Sequence, residues 1–229
     1  MAVMSGGIRA RVRAQMTEEI KTIARRHLAS DGANLSLRAV ARDLGVVSSA
    51  IYRYFASRDD LLTALILDAY NALGSSVEAA DRAVVDRAAL DGRWMAICHA
   101  VRDWALAAPH EYALIYGTPV PGYRAPADTV AAATRGVRAI GAILQDGALQ
   151  GRFPDEKPVT GAAGETFVAI GADICPDAPP AVLSRAMGAW VQLFGTVSFE
   201  LFGQLENAVA DKAAFFEQQM CAQAVYIGL

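Results

Sequence analysis

The stretch Ser36–Phe55, SLRAVARDLGVVSSAIYRYF, constrains this chain more than any other part of it. Its spacing predicts two short helices joined by a tight turn at Gly45. Leu37, Val40, Ala41 and Leu44 recur at helical spacing on one face, and Val46 and Ile51 close the other side of a small core. Ala41 is small enough to let the second helix cross close by. Gly45 can take the positive φ that a sharp helix-to-helix turn requires. Ser36 can cap the first helix, with Leu35 and Val40 placed as a hydrophobic staple. The second helix then turns Ser48, Ser49, Tyr52, Arg53 and Tyr54 outward. Hydroxyls, an aromatic ring and a guanidinium on one exposed face suit a DNA groove and its phosphates.

Charge distribution supports a nucleic-acid partner where net charge does not. The chain carries −3 overall, yet residues 1–58 hold ten Lys and Arg against four Asp and Glu, and residues 59–229 hold eleven against twenty. A basic end on an acidic body is the footprint of a DNA-binding domain carried by a larger protein. Cys98, Cys175 and Cys221 are odd in number and widely spaced, which suits reduced thiols in a cytoplasm. No signal peptide opens the chain, and no apolar run is long enough to span a membrane. The apolar composition instead implies a large helical core and a buried subunit interface.

Helical periodicity continues throughout. Arg9, Arg11 and Arg13 precede a first helix expected over 12–30, with Met16, Ile20, Ile23, Ala24 and Leu28 as its stripe and Asp31-Gly32 as its end. These arginines read as a solvated tail or as a disordered arm reaching a minor groove. Ser57 and the acids after Arg58 open a helix expected over 58–79. Further helices are expected over 86–108, from Pro109 to about residue 116, and over 127–149, 159–176, 181–205 and 211–227. The segment 117–126, rich in Pro and Gly, reads as a loop. The helix over 181–205 is apolar nearly all round and must be covered on both sides. A homodimeric four-helix bundle built from the last two helices of each subunit answers that requirement. Met187, Val191, Phe194, Phe202, Phe216 and Met220 are its expected interface.

Residues 36–62 resemble the DNA-binding domain of the TetR family of bacterial repressors. The resemblance is carried by Ser36, Arg38, Ala41, Leu44, Gly45, Val46, Ile51, Tyr52, Tyr54, Phe55, Ser57 and Leu61-Leu62, with the core G-V-x-x-x-x-[IL]-Y-x-Y-F-x-S. Val47 stands where the family usually has a Ser that caps the recognition helix, and Ser48 is expected to take over. Trp190-x-x-x-Phe194-Gly195 has the shape of the W-x-x-x-H-G signature of a regulatory domain found in some of these proteins, with Phe for His. The resemblance implies an all-α fold, with a three-helix helix-turn-helix domain over 12–75 (motif 36–55) and a helical regulatory and dimerisation domain over 76–229. It also implies a palindromic operator on double-stranded DNA, repression, and release by a small molecule.

Arg38, Ser48, Ser49, Tyr52, Arg53, Tyr54 and Arg58 are the expected DNA contacts. Trp94, His99, Trp104, Tyr112, Tyr116, Arg138, Phe167 and Trp190 are the expected lining of an effector pocket, with His99 and Arg138 as its polar groups. The alternative for each aromatic is plain core filling. His99 and His110 do not share a helical turn, no catalytic constellation is recognisable, and no cofactor or metal is expected. Two other functions remain open to the sequence: an architectural DNA binder without an inducer, and a helical enzyme or ligand carrier. The ligand, the operator and the sign of regulation are not encoded in any motif.

Overall fold

The computed structural model describes residues 3–31, 35–154 and 157–229. Among them the fold is all-α, with helices α1 (Val3–Asp31), α2 (Leu37–Asp43), α3 (Ser48–Ile51), α4 (Arg58–Ala83), α5 (Leu90–Ala107), α6 (Pro109–Tyr116), α7 (Thr129–Ala133), α8 (Arg135–Leu149), α9 (Gly161–Ile174), α10 (Pro180–Leu201) and α11 (Lys212–Ile227). The chain divides into two compact units, Met1–Tyr70 with Ala108–Val130, and Asn71–Ala107 with Ala131–Leu229.

The first unit is organised by local signals. Ser36 accepts the Ala39 amide at the start of α2, and Leu35 and Val40 are both buried beside that cap. Gly45 has φ +73°, in the left-handed region. At the start of α4 the Asp60 amide donates to the Ser57 hydroxyl and the Ser57 amide donates to the Asp60 carboxylate, each at 3.1 Å, a reciprocal cap. Ile20, Ala24, Val40, Ile51, Leu61 and Leu62 form the core, each 1 % exposed or less.

Three expectations change here. α1 begins at Val3, so Arg9, Arg11 and Arg13 lie on a helix rather than on a disordered arm; the expected Gly32 stop lies outside the described residues. α3 starts with Val47 as N-cap and no side-chain cap, so Ser48 does not take over capping: it is already the first helical residue. The expected helix over 127–149 is broken at Thr134 into α7 and α8, with the Thr134 hydroxyl donating to the Ala131 carbonyl at 3.3 Å.

The division between units also differs from a single cut near residue 75. Residues 108–130 join the first unit because their side chains complete its core. Val120 is buried there, Leu114 and Tyr123 pack against it, Tyr123 shares a hydrogen bond with Thr63 at 2.9 Å, and Glu111 pairs with Arg25 at 3.0 Å.

The second unit is a helical bundle in which α10 packs on α11, α9, α5 and α8. Buried ion pairs tie it together. Arg93 is fully buried on α5, and its Nε donates to Asp81 at 2.7 Å while Nη1 donates to Asp146 at 2.5 Å. Burial disfavours the charge on Asp81, but hydrogen bonds from Arg93 and Arg87 outweigh it and hold the carboxyl below the usual range. Arg102 grips Glu200 through two hydrogen bonds, at 2.8 and 2.6 Å. Arg135 reaches back to α4, donating to both Glu78 oxygens, to the Asn71 carbonyl and side chain, and to the Ser75 hydroxyl. Every guanidinium donor is thereby used.

Candidate nucleic-acid interface and effector cavity

The candidate reading face follows from how α2 and α3 are pinned. Ile51 and Phe55 point into the core, which turns Ser49, Tyr52 and Arg53 outward; all three are exposed, as is Arg38 at the start of α2. Ser48 and Tyr54 are half-buried. Among the described residues neither Arg38 nor Arg53 makes an ion pair. Leu35, Ser36, Leu37, Arg38, Tyr52, Ala56, Ser57 and Arg58 line an open groove of about 500 Å³. Arg38, Tyr52 and Arg58 therefore share one surface depression, which can accept a phosphate backbone.

The other candidates have structural engagements. Arg58 Nε donates to the Leu35 carbonyl at 3.1 Å, which ties α4 to the entrance of α2. Tyr54 packs against the core, and the Arg13 guanidinium lies 5.3 Å over its ring. Behind the reading face, His27 Nε2 is 2.6 Å from Asp43 Oδ2, and this hydrogen bond holds the Asp43 carboxyl below its ordinary pKa. Lys21 loses hydration on burial, but Asp68 and Glu18 outweigh that loss and raise its pKa, so α1 stays ionically fastened to α4.

The expected effector pocket is not assembled as one set. An apolar cavity of about 40 Å³ lies between α8, α9 and α10, walled by Val137, Ile140, Gly141, Leu144, Phe167, Ile170, Ile174, Leu183, Ala186, Met187 and Trp190. Of the eight expected residues, Phe167 and Trp190 line it. Arg138 is on α8 but pairs with Asp173 at 2.6 Å on the exposed side. Trp94 is fully buried, its indole N–H donating to the Met220 carbonyl at 2.9 Å, so it fills the core between α5 and α11. His99 faces α11, 2.8 Å from Glu217. Trp104 is half-buried on the same helix. Tyr112 and Tyr116 belong to the first unit, where their rings stack at 5.2 Å and Tyr116 meets Tyr70 edge-on at 6.2 Å. Burial keeps the Tyr116 phenol well above its ordinary pKa.

The expected interface residues separate in the same way. Phe216 and Met220 are 1 % and 0 % exposed and face α5, and Phe194 is buried against Trp190 at 4.5 Å. Phe216 and Met220 are inward because α11 packs its apolar stripe on α5 within one subunit. Val191, Met187 and Phe202 are exposed, and Phe199, Val225 and Tyr226 are exposed beside them. At Gly195 an added Cβ would meet open space. Periodicity found the apolar helix; it did not tell which side its own subunit would cover.

Among the described residues no group of three or more His, Cys, Asp or Glu could hold a metal ion, and no helix is long and apolar enough to cross a membrane.

The family described as bacterial regulatory proteins, tetR family, matches residues 22–65, and the tetracyclin repressor-like C-terminal domain matches residues 94–222. HTH-type transcriptional regulator Rv1816 of Mycobacterium tuberculosis (strain ATCC 25618 / H37Rv) is 39 % identical over 219 residues, covering 93 % of this chain and 92 % of that protein. Mb1846 of Mycobacterium bovis, also an HTH-type transcriptional regulator, matches equally. Among solved structures, SCO4313, described as a regulatory protein, superposes with a TM-score of 0.72 at 36 % identity, over 93 % of this chain and 97 % of that one. The TetR family transcriptional regulator PfmR from Thermus thermophilus shares the fold, with a TM-score of 0.57 at 17 % identity over 91 % and 96 %.

Proposed function

The chain belongs to the TetR family of DNA-binding transcriptional regulators, and from that premise we propose that it is a homodimeric repressor released from a palindromic operator by a small apolar molecule. The families it matches are regulators, not enzymes. The observation that carries the reading is the outward face of Arg38, Ser49, Tyr52 and Arg53, exposed, with no ion pair to either arginine among the described residues. In a dimer two such faces enter successive major grooves, about 34 Å apart along the duplex. Tyr52, Ser48, Ser49 and Arg53 meet the groove, while Arg38, Tyr54 and Arg58 meet phosphates. Support for the dimer comes from the exposed apolar surface of α10 and α11, centred on Val191, Phe199 and Phe202. The protein acts in the cytoplasm, on the nucleoid when bound.

Release needs the bundle to open. A cavity of about 40 Å³ has room for only a few waters, against several hundred Å³ for a typical ligand site. An effector therefore parts α8 from α9 and α10, and Arg135, at the head of α8, carries the movement to α4 through its grip on Asn71, Ser75 and Glu78. Such an effector works only by its differential affinity for the two states. The same small volume favours a second reading, an accessory DNA binder with no inducer, which predicts constitutive binding.

Selection of bound duplexes from a random pool tests the first part. An enriched inverted repeat with half-sites one helical turn apart supports the dimeric operator, and enrichment without symmetry overturns it. Titrating the selected complex with uncharged aliphatic and aromatic molecules tests release. A fall in operator affinity supports induction, and unchanged affinity across the panel selects the second reading.

A further inference from the structure

The beginning of α1 has no role in the helical pair, yet its charges are placed against it. The core-facing line of α1 runs through Ala24, Ile20 and Met16, and continues toward the N-terminus through Arg13 and Arg9. At about 100° per residue, Arg13 and Arg9 lie within about 20° of Ile20, whereas Arg11 lies on the opposite side, about 180° away. One helical line thus changes from apolar to guanidinium where the core ends.

Arg13 shows what that line passes over. Its Nη2 donates to the Arg53 carbonyl at 3.2 Å, and its guanidinium stacks over the Tyr54 ring. The end of the reading helix is therefore held by α1, and Arg9 stands about 6 Å farther along the same line. Arg9 and Arg53 are exposed, and among the described residues neither side chain has a hydrogen-bond or carboxylate partner. The nearby acids of α1 are engaged elsewhere, Glu18 with Lys21 and Glu19 with Gln15. A cation in the first two turns of a helix also works against the helix dipole, so helix stability does not account for Arg9. Arg9 and Arg13 share the line of α1 that runs toward Arg53, and a polyanion is the partner that such a line of guanidiniums fits.

We propose that the first turns of α1 form a second duplex-contacting element. In it Arg9 binds a backbone phosphate beside the groove read by Tyr52 and Arg53, and Arg13 is a positioning residue that fixes the end of the reading helix through the Arg53 carbonyl. Arg11, on the far side, takes no part. The inference rests on the assignment of Tyr52 and Arg53 to the reading face, with which the arginine line is continuous.

The test uses the full-length protein, a duplex selected from a random pool and a scrambled duplex, with binding followed by fluorescence anisotropy from about 50 to 200 mM salt. Arg9→Gln is expected to lower affinity for both duplexes by the same factor and to reduce the salt slope by about 1 for each arm engaged. Arg11→Gln is expected to match the parent at every salt concentration. Arg13→Lys keeps the charge and loses the planar fork; it is expected to narrow the affinity ratio between selected and scrambled duplex with the melting temperature unchanged. Equal slopes for Arg9→Gln and Arg11→Gln, or an intact ratio in Arg13→Lys, overturn the proposal. Arg53→Ala in the same series separates the premises: if it costs affinity while Arg9→Gln does not, the reading face stands and the arm fails. The reverse pattern removes the reading face and keeps the arm.

Discussion

Two sets of arginines, one in each unit, are used in opposite ways. In the first, Arg9, Arg38 and Arg53 stand exposed with no ion pair among the described residues, over a core of aliphatic side chains. In the second, Arg93, Arg102 and Arg135 are each paired with a carboxylate from another helix. An unpaired guanidinium on a surface is available to a partner; a buried, paired one fixes helix against helix and is costly to disturb. The contrast explains how a chain of slight net negative charge presents a basic head. Twenty of the 24 acids follow residue 58, against eleven of the 21 Lys and Arg, so the excess of positive charge falls on residues 1–58.

The contrast breaks first at Arg93. Arg93→Ala strips Asp146 of its cation and leaves Asp81 with Arg87 alone, and should cost about 3–5 kcal/mol of unfolding free energy, measured by urea denaturation. A loss below about 1 kcal/mol would show that the second unit does not depend on its buried pairs. Acid is a milder probe of the same network. Because the folded pKa of Asp81 lies below its unfolded value near 4, its contribution is complete above about pH 4. It is lost as pH falls through the folded value, so thermal stability should drop below about pH 4, and in Asp81→Asn that portion of the drop should be absent.

At the head the expected effects are on binding rather than folding. Arg53→Ala should weaken operator affinity by about 1–3 kcal/mol at matched salt, with the melting temperature unchanged. A drop in stability instead would make Arg53 a structural arginine like those of the second unit. The smallest effect is expected at the reading helix itself. Val47 is 71 % exposed and caps nothing. Val47→Ser should add about 0.5–1 kcal/mol of stability by supplying the missing cap, read as a higher urea midpoint.

What the sequence disclosed was local. Ser36 as a cap, Gly45 as the turn and Ser57 with its following acids could all be read because their partners lie within a few residues. The arginine line of α1 was missed, since Arg9, Arg11 and Arg13 were expected in a tail or arm ahead of the first helix, and it emerges only because α1 starts at Val3. The buried network was not legible either, since Arg93 meets partners 12 and 53 residues away and charge type alone does not choose between them. Nor did residue type reveal direction. Trp94 and Phe216 were expected at a pocket and an interface, but both face the subunit's own core. Val120 carried no signal at all, because a segment rich in Pro and Gly reads as a connection rather than as core.

That last segment sets a rule for anyone wishing to graft this operator preference onto another regulator. Since residues 108–130 finish the packing around Leu61 and Leu62, the transplantable module is discontinuous. A chimera spliced once near residue 75 would carry α1–α3 with a gap where Val120 and Tyr123 belong. One that also carries the stretch around α6 would keep the donor's hydrophobic interior whole, and with it the placement of α2 and α3.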